Sequence, residues 1–323
     1  MSMTMKREDD ETSRCVIEVE RPADFDRFWS GNVTALAEIS LGSRLIPVPE
    51  RSTPEVDVYE VIYRSADDLD ISGWYCVPKE QYLTPPYPGL LLTPGYVSDP
   101  TLPKSWAQLG YAAFGVAPRG KLRSNSRFNP GYPGLLVENI VDKETYAYRG
   151  FYLDALRAVD VLASFPEVDV NRIGVYGSSQ GGALAIVLAA LAADTVRCAV
   201  SGAPYLAAFI DSARLTHSYP YEEINEYLRL HPDHESLVAE TVAYFDVVNF
   251  GTLVRCPTLV YVGLADDVCP PESGFALYRN LSCPKHLVTT EGSAHDAGSY
   301  WVGAQVEAFL EEHLSPEGPG EGS

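Results

Sequence analysis

Ile173-Gly174-Val175-Tyr176-Gly177-Ser178-Ser179-Gln180-Gly181-Gly182, running on into Ala183-Leu184-Ala185-Ile186-Val187-Leu188-Ala189-Ala190, is the stretch that decides the fold. An apolar strand enters a turn in which Gly177 and Gly181 bracket Ser179, and a helix of small apolar residues starts at once behind it. This strand, turn and helix make a nucleophile elbow, with one serine held out at the tip. Side chains two before and two after that serine would collide with the neighbouring strand and helix, so glycine stands at both places. The same turn aims backbone N–H groups at the start of the helix toward the place where an oxyanion would form.

Outward from the elbow, short apolar strands alternate with helical patterns. Pro88-Gly89-Leu90-Leu91-Leu92-Thr93 and Tyr111-Ala112-Ala113-Phe114-Gly115-Val116 are continuous apolar runs, as strands buried on both faces are. A short helix near residues 102–109 separates them. Residues 148–165 read as an amphipathic helix with Tyr152, Leu156, Val159 and Leu162 on one face and Asp154, Arg157 and Asp160 turned away from it. Arg197-Cys198-Ala199-Val200-Ser201, Pro257-Thr258-Leu259-Val260-Tyr261-Val262-Gly263 and Lys285-His286-Leu287-Val288-Thr289-Thr290 are further strands. Before them all, residues 57–65 and 69–78 pair as an antiparallel hairpin across an Asp-rich turn, and Phe25, Phe28 and Trp29 form a helical docking stripe. The pattern predicts an α/β fold: a mostly parallel, twisted sheet with helices on both faces, an antiparallel N-terminal hairpin and a Tyr-rich helical insertion at about 204–250. Residues 1–20 are expected to be mobile, 21–314 to form a single domain, and the Gly, Pro, Glu and Ser tail 315–323 to be disordered.

Composition bounds the function. Among 323 residues, 44 are acidic and 24 basic, for a net charge of −20, a field that repels nucleic acid and anionic membranes and suits a neutral small molecule, or that serves solubility alone. No apolar run is long enough to span a membrane, and no apolar core follows the basic pair Lys6-Arg7, so a cytoplasmic location is expected. The six cysteines are scattered singly, with Cys76 and Cys198 in apolar strand contexts, which predicts buried reduced thiols and neither a disulfide framework nor a zinc site.

A serine hydroxyl needs an imidazole base, itself oriented by a carboxylate. On this strand order the partners should follow as Asp then His, each in a turn just past a strand. Gly263-Leu264-Ala265-Asp266-Asp267 and Gly292-Ser293-Ala294-His295-Asp296 fill those turns. Of six histidines only His295 has that placement; His217, His231, His234, His286 and His313 are expected in surface or packing roles. Asp266 is preferred to Asp267, which begins the run into Val268-Cys269-Pro270-Pro271. The oxyanion donors are expected to be the N–H groups of Gln180, next after the nucleophile, and of Tyr96, in the loop after the Leu90–Thr93 run. Two other patterns fail on their chemistry. Gly115-Val116-Ala117-Pro118-Arg119-Gly120-Lys121 begins like a phosphate-binding loop, but Leu122 stands where a hydroxyl must meet magnesium and Pro118 removes an N–H. His231-Pro232-Asp233-His234 lacks further metal ligands nearby. No cofactor and no metal is expected.

These residues resemble carbohydrate esterase family 7, the acetyl xylan esterase and cephalosporin C deacetylase group of the α/β-hydrolase superfamily. The likeness covers nearly all of residues 20–314 and is carried by residues 22–29, Gly73-Trp74-Tyr75, Gly95-Tyr96, Arg119-Gly120, Tyr148-Arg149-Gly150, the Ser179-Gln180-Gly181-Gly182 form of the elbow, residues 244–250 and Gly263-Leu264-Ala265-Asp266. The resemblance implies an α/β-hydrolase fold, a Ser179–His295–Asp266 triad, an oxyanion hole at Tyr96 and Gln180, small O-acetyl esters as substrates, and a hexamer. Where that family has Arg-Gly-Gln this chain has Arg119-Gly120-Lys121, and where it has His-Glu this chain has His295-Asp296. These departures leave the alcohol half open, sugar or other small metabolite. The leading expectation is a serine esterase that removes acetyl groups through an acetyl-enzyme. The rivals are an acetate-eliminating lyase in the same pocket and a non-catalytic binding protein on the same fold.

Overall fold

The computed structural model describes residues 17–315. The expectations for residues 1–16 and 316–323, and for the thiol of Cys15, lie outside the described residues.

Nine strands form one sheet in the order β1-β2-β3-β5-β4-β6-β7-β8-β9. The first four in space are antiparallel neighbours: β1 (Arg44–Pro47), β2 (Val56–Arg64), β3 (Asp70–Pro78) and β5 (Ala112–Ala117). From β5 onward every pairing is parallel, through β4 (Tyr87–Thr93), β6 (Val168–Ser178), β7 (Val196–Gly202), β8 (Thr258–Gly263) and β9 (Lys285–Thr290). β4 lies between β5 and β6 with helices over the sheet, and Leu90 and Leu91 are fully buried, which is why its sequence is apolar without alternation. β2 and β3 pair across the Asp-rich turn as the hairpin reading requires, Tyr63 opposite Ile71. β1 was not foreseen: it is a four-residue edge strand, exposed throughout and closed by Pro47, too short to carry a periodic signal.

Two long helices position the elbow. The helix Gln180–Leu191 is buried on all sides from Gln180 to Ala190, so its apolar character runs right round. The helix Ala147–Ala163 packs beside it and departs from its sequence reading. Asp154 and Arg157, expected to face away from the core, are buried, while Asp160 is exposed. The reason is a partner from elsewhere in the chain: Asp154 receives the Arg119 guanidinium and the Ser65 hydroxyl (2.6 Å), and the Arg157 guanidinium reaches the Ile39 carbonyl and Asp160.

The helix Phe25–Ala37 buries its Phe25, Phe28 and Trp29 stripe. Trp29 stacks on Tyr152 at 5.8 Å and donates from Nε1 to the Tyr244 carbonyl at 2.8 Å. Burying each such ring is worth roughly 2–3 kcal/mol, and the stripe fastens the N-terminal helix to both the Ala147–Ala163 helix and the insertion. The insertion between β7 and β8 holds the helices Phe209–Leu215, Glu222–Leu230, Glu235–Val242 and Val247–Phe250. Asp246 caps the last, accepting from the N–H of Val248, and also from those of Ala208 and Phe209. Burial pushes its carboxyl up to about 7 against the pull of those three N–H groups. Among the described residues no helix is long and apolar enough to cross a membrane.

Candidate active site

The elbow sits where β6 ends at the carboxyl edge of the sheet. Ser179 adopts φ 59°, ψ −124°, a conformation disfavoured for a residue with a Cβ. It is held there from both sides: its N–H donates to the Gly202 carbonyl at 2.8 Å, and its own carbonyl accepts from Tyr205 N–H at 3.1 Å. A Cβ on Gly177 would stand 2.2 Å from Thr93 Oγ1, and one on Gly181 would stand 2.3 Å from the Thr93 carbonyl oxygen. The Thr93 hydroxyl uses that closeness, donating to the Gly181 carbonyl at 2.8 Å. The glycines therefore let β4 dock against the turn, and the docked strand keeps the turn strained.

Two loops past β8 and β9 bring up the other side chains. His295 Nε2 lies 3.0 Å from Ser179 Oγ, and its Nδ1 lies 2.9 and 3.2 Å from the two Asp266 carboxylate oxygens. Asp266 is buried, and its Oδ1 also accepts from the N–H groups of Val268 and Cys269, both at 2.9 Å. Those bonds fix the carboxylate plane and leave Oδ2 for the imidazole. Asp267, the alternative carboxylate, is exposed, and its carbonyl takes the Thr216 hydroxyl. Direct main-chain bonds join the two loops, Ala265 N–H to the Ser293 carbonyl (2.9 Å) and Leu264 N–H to the Thr290 carbonyl (3.1 Å). Cys269, fully buried beside Asp266 and Ser179, has its thiol pushed well up by burial and stays protonated.

The remaining histidines lie elsewhere. His217 is exposed beside Glu222 (3.0 Å), His231 and His234 stack at 5.1 Å next to Tyr227, and His286 and His313 flank Phe309.

The loop after β4 carries Tyr96, whose ring meets Tyr205, the residue that donates its N–H to the Ser179 carbonyl. Gln180 opens the helix behind Ser179, so its N–H is among those with no partner in the preceding turn of helix. Tyr96 is gripped at several points. Its hydroxyl donates to Glu223 Oε1 at 2.6 Å and accepts from Leu136 N–H at 3.0 Å, while Glu223 Oε2 takes Gly134 N–H at 2.8 Å. Its ring meets Tyr132 and Tyr205 edge to face, at 5.0 and 5.9 Å. Its carbonyl accepts from Lys121 Nζ at 2.8 Å. Burial raises the Glu223 carboxyl, opposed by the Tyr96 hydroxyl and the backbone donors.

Glu223 comes from the insertion, and nothing local in Tyr221-Glu222-Glu223-Ile224 distinguishes it from a surface acid of a helix. Lys121 has an ordinary place in the sequence too, apart from being where the resembled motif has glutamine. Neither points to a phosphate: Lys121 is buried with its ammonium on protein carbonyls.

Comparison with known proteins identifies the family and the fold. Residues 10–313 match the family model for acetyl xylan esterase (AXE1). The acetyl esterase Axe7A of Xylanibacter ruminicola is 27% identical over 299 residues, 85% of this chain and 64% of that protein, so the chain spans just under two thirds of that relative's length. Among solved structures, an acetyl xylan esterase from Paenibacillus sp. R4 superposes with a TM-score of 0.85 at 32% identity, covering 92% of this chain and 97% of the other. Acetyl xylan esterase 1 from Thermoanaerobacterium sp. JW/SL YS485 does so with 0.84 at 26% identity, covering 92% and 96%. The strand order, the elbow and the match over almost the whole length place this chain in the acetyl xylan esterase family of carboxylic ester hydrolases, on the α/β-hydrolase fold.

Proposed function

We propose that the protein is a serine acetylesterase in which Ser179 is the nucleophile, His295 the general base and Asp266 its orienting carboxylate. The observation that carries this reading is the unbroken chain of contacts from Ser179 Oγ through the two nitrogens of His295 to Asp266, at 3.0 and 2.9 Å. With Nδ1–H held by Asp266, Nε2 carries the lone pair and takes the Ser179 proton as Oγ attacks the acetyl carbonyl. The negative charge that develops on the carbonyl oxygen is met by the N–H groups of Tyr96 and Gln180. The tetrahedral species collapses to acetyl-Ser179 while Nε2–H protonates the departing alcohol. Water then attacks the acetyl carbon, giving its proton to Nε2, and Ser179 leaves with that proton as acetate is released. A base already engaged with a serine hydroxyl supports addition to the carbonyl rather than abstraction of a carbon-bound proton.

The net charge of −20 favours a neutral alcohol half. Small sugars and other O-acetylated metabolites both satisfy it. The hexamer implied by the resemblance belongs to this proposal too, and light scattering on the purified protein tests it. The activity is tested with p-nitrophenyl acetate, butyrate and octanoate. The acetate is expected to be cleaved fastest, and Ser179→Ala is expected to lower kcat by at least about ten-thousandfold. An alanine variant that kept its rate would remove the mechanism.

A further inference from the structure

Lys121 is buried, and its ammonium donates to two main-chain carbonyls of one loop, Tyr96 at 2.8 Å and Ser98 at 2.9 Å, with the Tyr132 ring 4.7 Å away. Among the described residues it makes no ion pair within 4.0 Å; Asp99, the carboxylate that acts on it through space, instead accepts the Leu122 N–H at 3.0 Å. Removing a cation from water without a counter-charge is costly, and an apolar side chain of similar length would fill the same space without that cost. What the ammonium supplies that a methionine cannot is two directed N–H bonds.

Both bonds land on the loop that carries Tyr96. The carbonyl gripped by Lys121 belongs to the residue whose N–H is proposed above as an oxyanion donor. The side chain of that residue is fixed at its far end by Glu223 and Leu136. With the carbonyl and the phenol both tied, little freedom is left in the φ and ψ of Tyr96, and its N–H direction follows from theirs. Without Lys121 the carbonyl end is released and only the phenol remains held.

We infer that Lys121 is a positioning residue for the transition state: its ammonium staples the Tyr96 and Ser98 carbonyls so that the Tyr96 N–H stays aimed at the oxyanion. The inference rests on the esterase reading above, with Tyr96 as an oxyanion donor. A donor that wanders loses strength where charge develops, while the ground-state ester, whose carbonyl carries less charge, hardly notices.

The test uses the full chain with p-nitrophenyl acetate as substrate and methylboronic acid as a probe, since its tetrahedral adduct on Ser179 presents an oxygen to the same N–H groups. Lys121→Met is expected to lower kcat by roughly tenfold to a hundredfold with KM within about twofold, and to weaken methylboronic acid by the same factor as kcat/KM. Lys121→Gln, which keeps two N–H donors without the charge, is expected between the two, about threefold to tenfold below the parent. A methionine variant within about threefold of the parent, or a glutamine variant as slow as the methionine one, would overturn the inference. Should the methionine variant fail to fold, glutamine alone decides, and a parental kcat in it would overturn the inference as well. The esterase reading fails separately, and takes this inference with it, if the parent does not cleave the ester or if Ser179→Ala still does.

Discussion

Two cations stand two residues apart on the segment that leaves β5, and the chain treats them differently. Arg119 is met by acids: its backbone N–H and Nε reach Asp154 Oδ2 at 2.9 and 2.8 Å, Nη2 reaches Oδ1 at 3.0 Å, and Nη1 reaches Asp67 at 2.6 Å. Burial alone would lower its pKa, but Asp154 and Asp67 outweigh that and raise it. Lys121 is met by carbonyls, and burial pushes its ammonium down to about 8 with only distant help from Asp99. The first arrangement is a neutralised anchor tying β5, the β2–β3 turn and the Ala147–Ala163 helix together. The second leaves a charge without an ion pair among the described residues, under the loop that carries Tyr96. The difference teaches how these two buried cations are used: the paired one holds the frame, and the one without an ion pair serves the loop that carries Tyr96.

Breaking the anchor should cost the most. Asp154→Ala strands a buried guanidinium and is expected to lower the unfolding free energy by about 3–5 kcal/mol in urea titrations. The contrast with Lys121 can be sharpened by pH. Its folded value of about 8 lies below the ordinary 10.5, so from about pH 8 to 10.5 the unfolded chain holds the extra proton and stability rises with pH. The Tyr132 hydroxyl beside it, pushed up to about 12 by burial and by Asp99, stays protonated over that range. The unfolding free energy of the parent minus that of Lys121→Gln should therefore grow between pH 7.5 and 10, with a ceiling of about 3 kcal/mol. No such growth is expected for a neutral substitution of Asp67, whose arginine partner does not titrate there.

Smaller effects probe how tightly the anchor is set. A Cβ on Gly150 would stand 1.9 Å from Arg119 Nη1, and a guanidinium held by four hydrogen bonds, to Asp154 twice, to Asp67 and to the Ala66 carbonyl, cannot swing aside. Gly150→Ala is expected to destabilise by about 1–3 kcal/mol, read as a lower urea midpoint. Asp67 is about half exposed (52%), so water screens its share of the anchor, and Asp67→Asn should cost less than about 1 kcal/mol.

The same two cations mark what was legible in the sequence. The elbow, and the turns after β8 and β9 that bring Asp266 and His295 to Ser179, could be read because each couples an apolar strand to a specific residue type within a few positions. The parallel sheet followed from continuous apolar runs at regular intervals. Asp154 was misread because helical period sends a lone acid to the surface, and only Arg119, far back in the chain, reverses that. Glu223 and the grip of Lys121 on Tyr96 were invisible for the same reason: their partners are set by how the insertion and the loop after β5 fold over the sheet. β1 was missed because four exposed residues carry no pattern.

Ser179, at φ 59° and ψ −124°, carries a consequence for how this protein can change. A non-glycine residue in such a conformation costs on the order of 1–3 kcal/mol, and a glycine would be released from it. Natural selection for thermal hardiness alone would therefore erode chemistry first at its origin, since the sturdiest version of the turn is an inert one. Ser179→Gly should melt later than the parent, and heat tolerance in this scaffold has to be sought away from the serine that makes it useful.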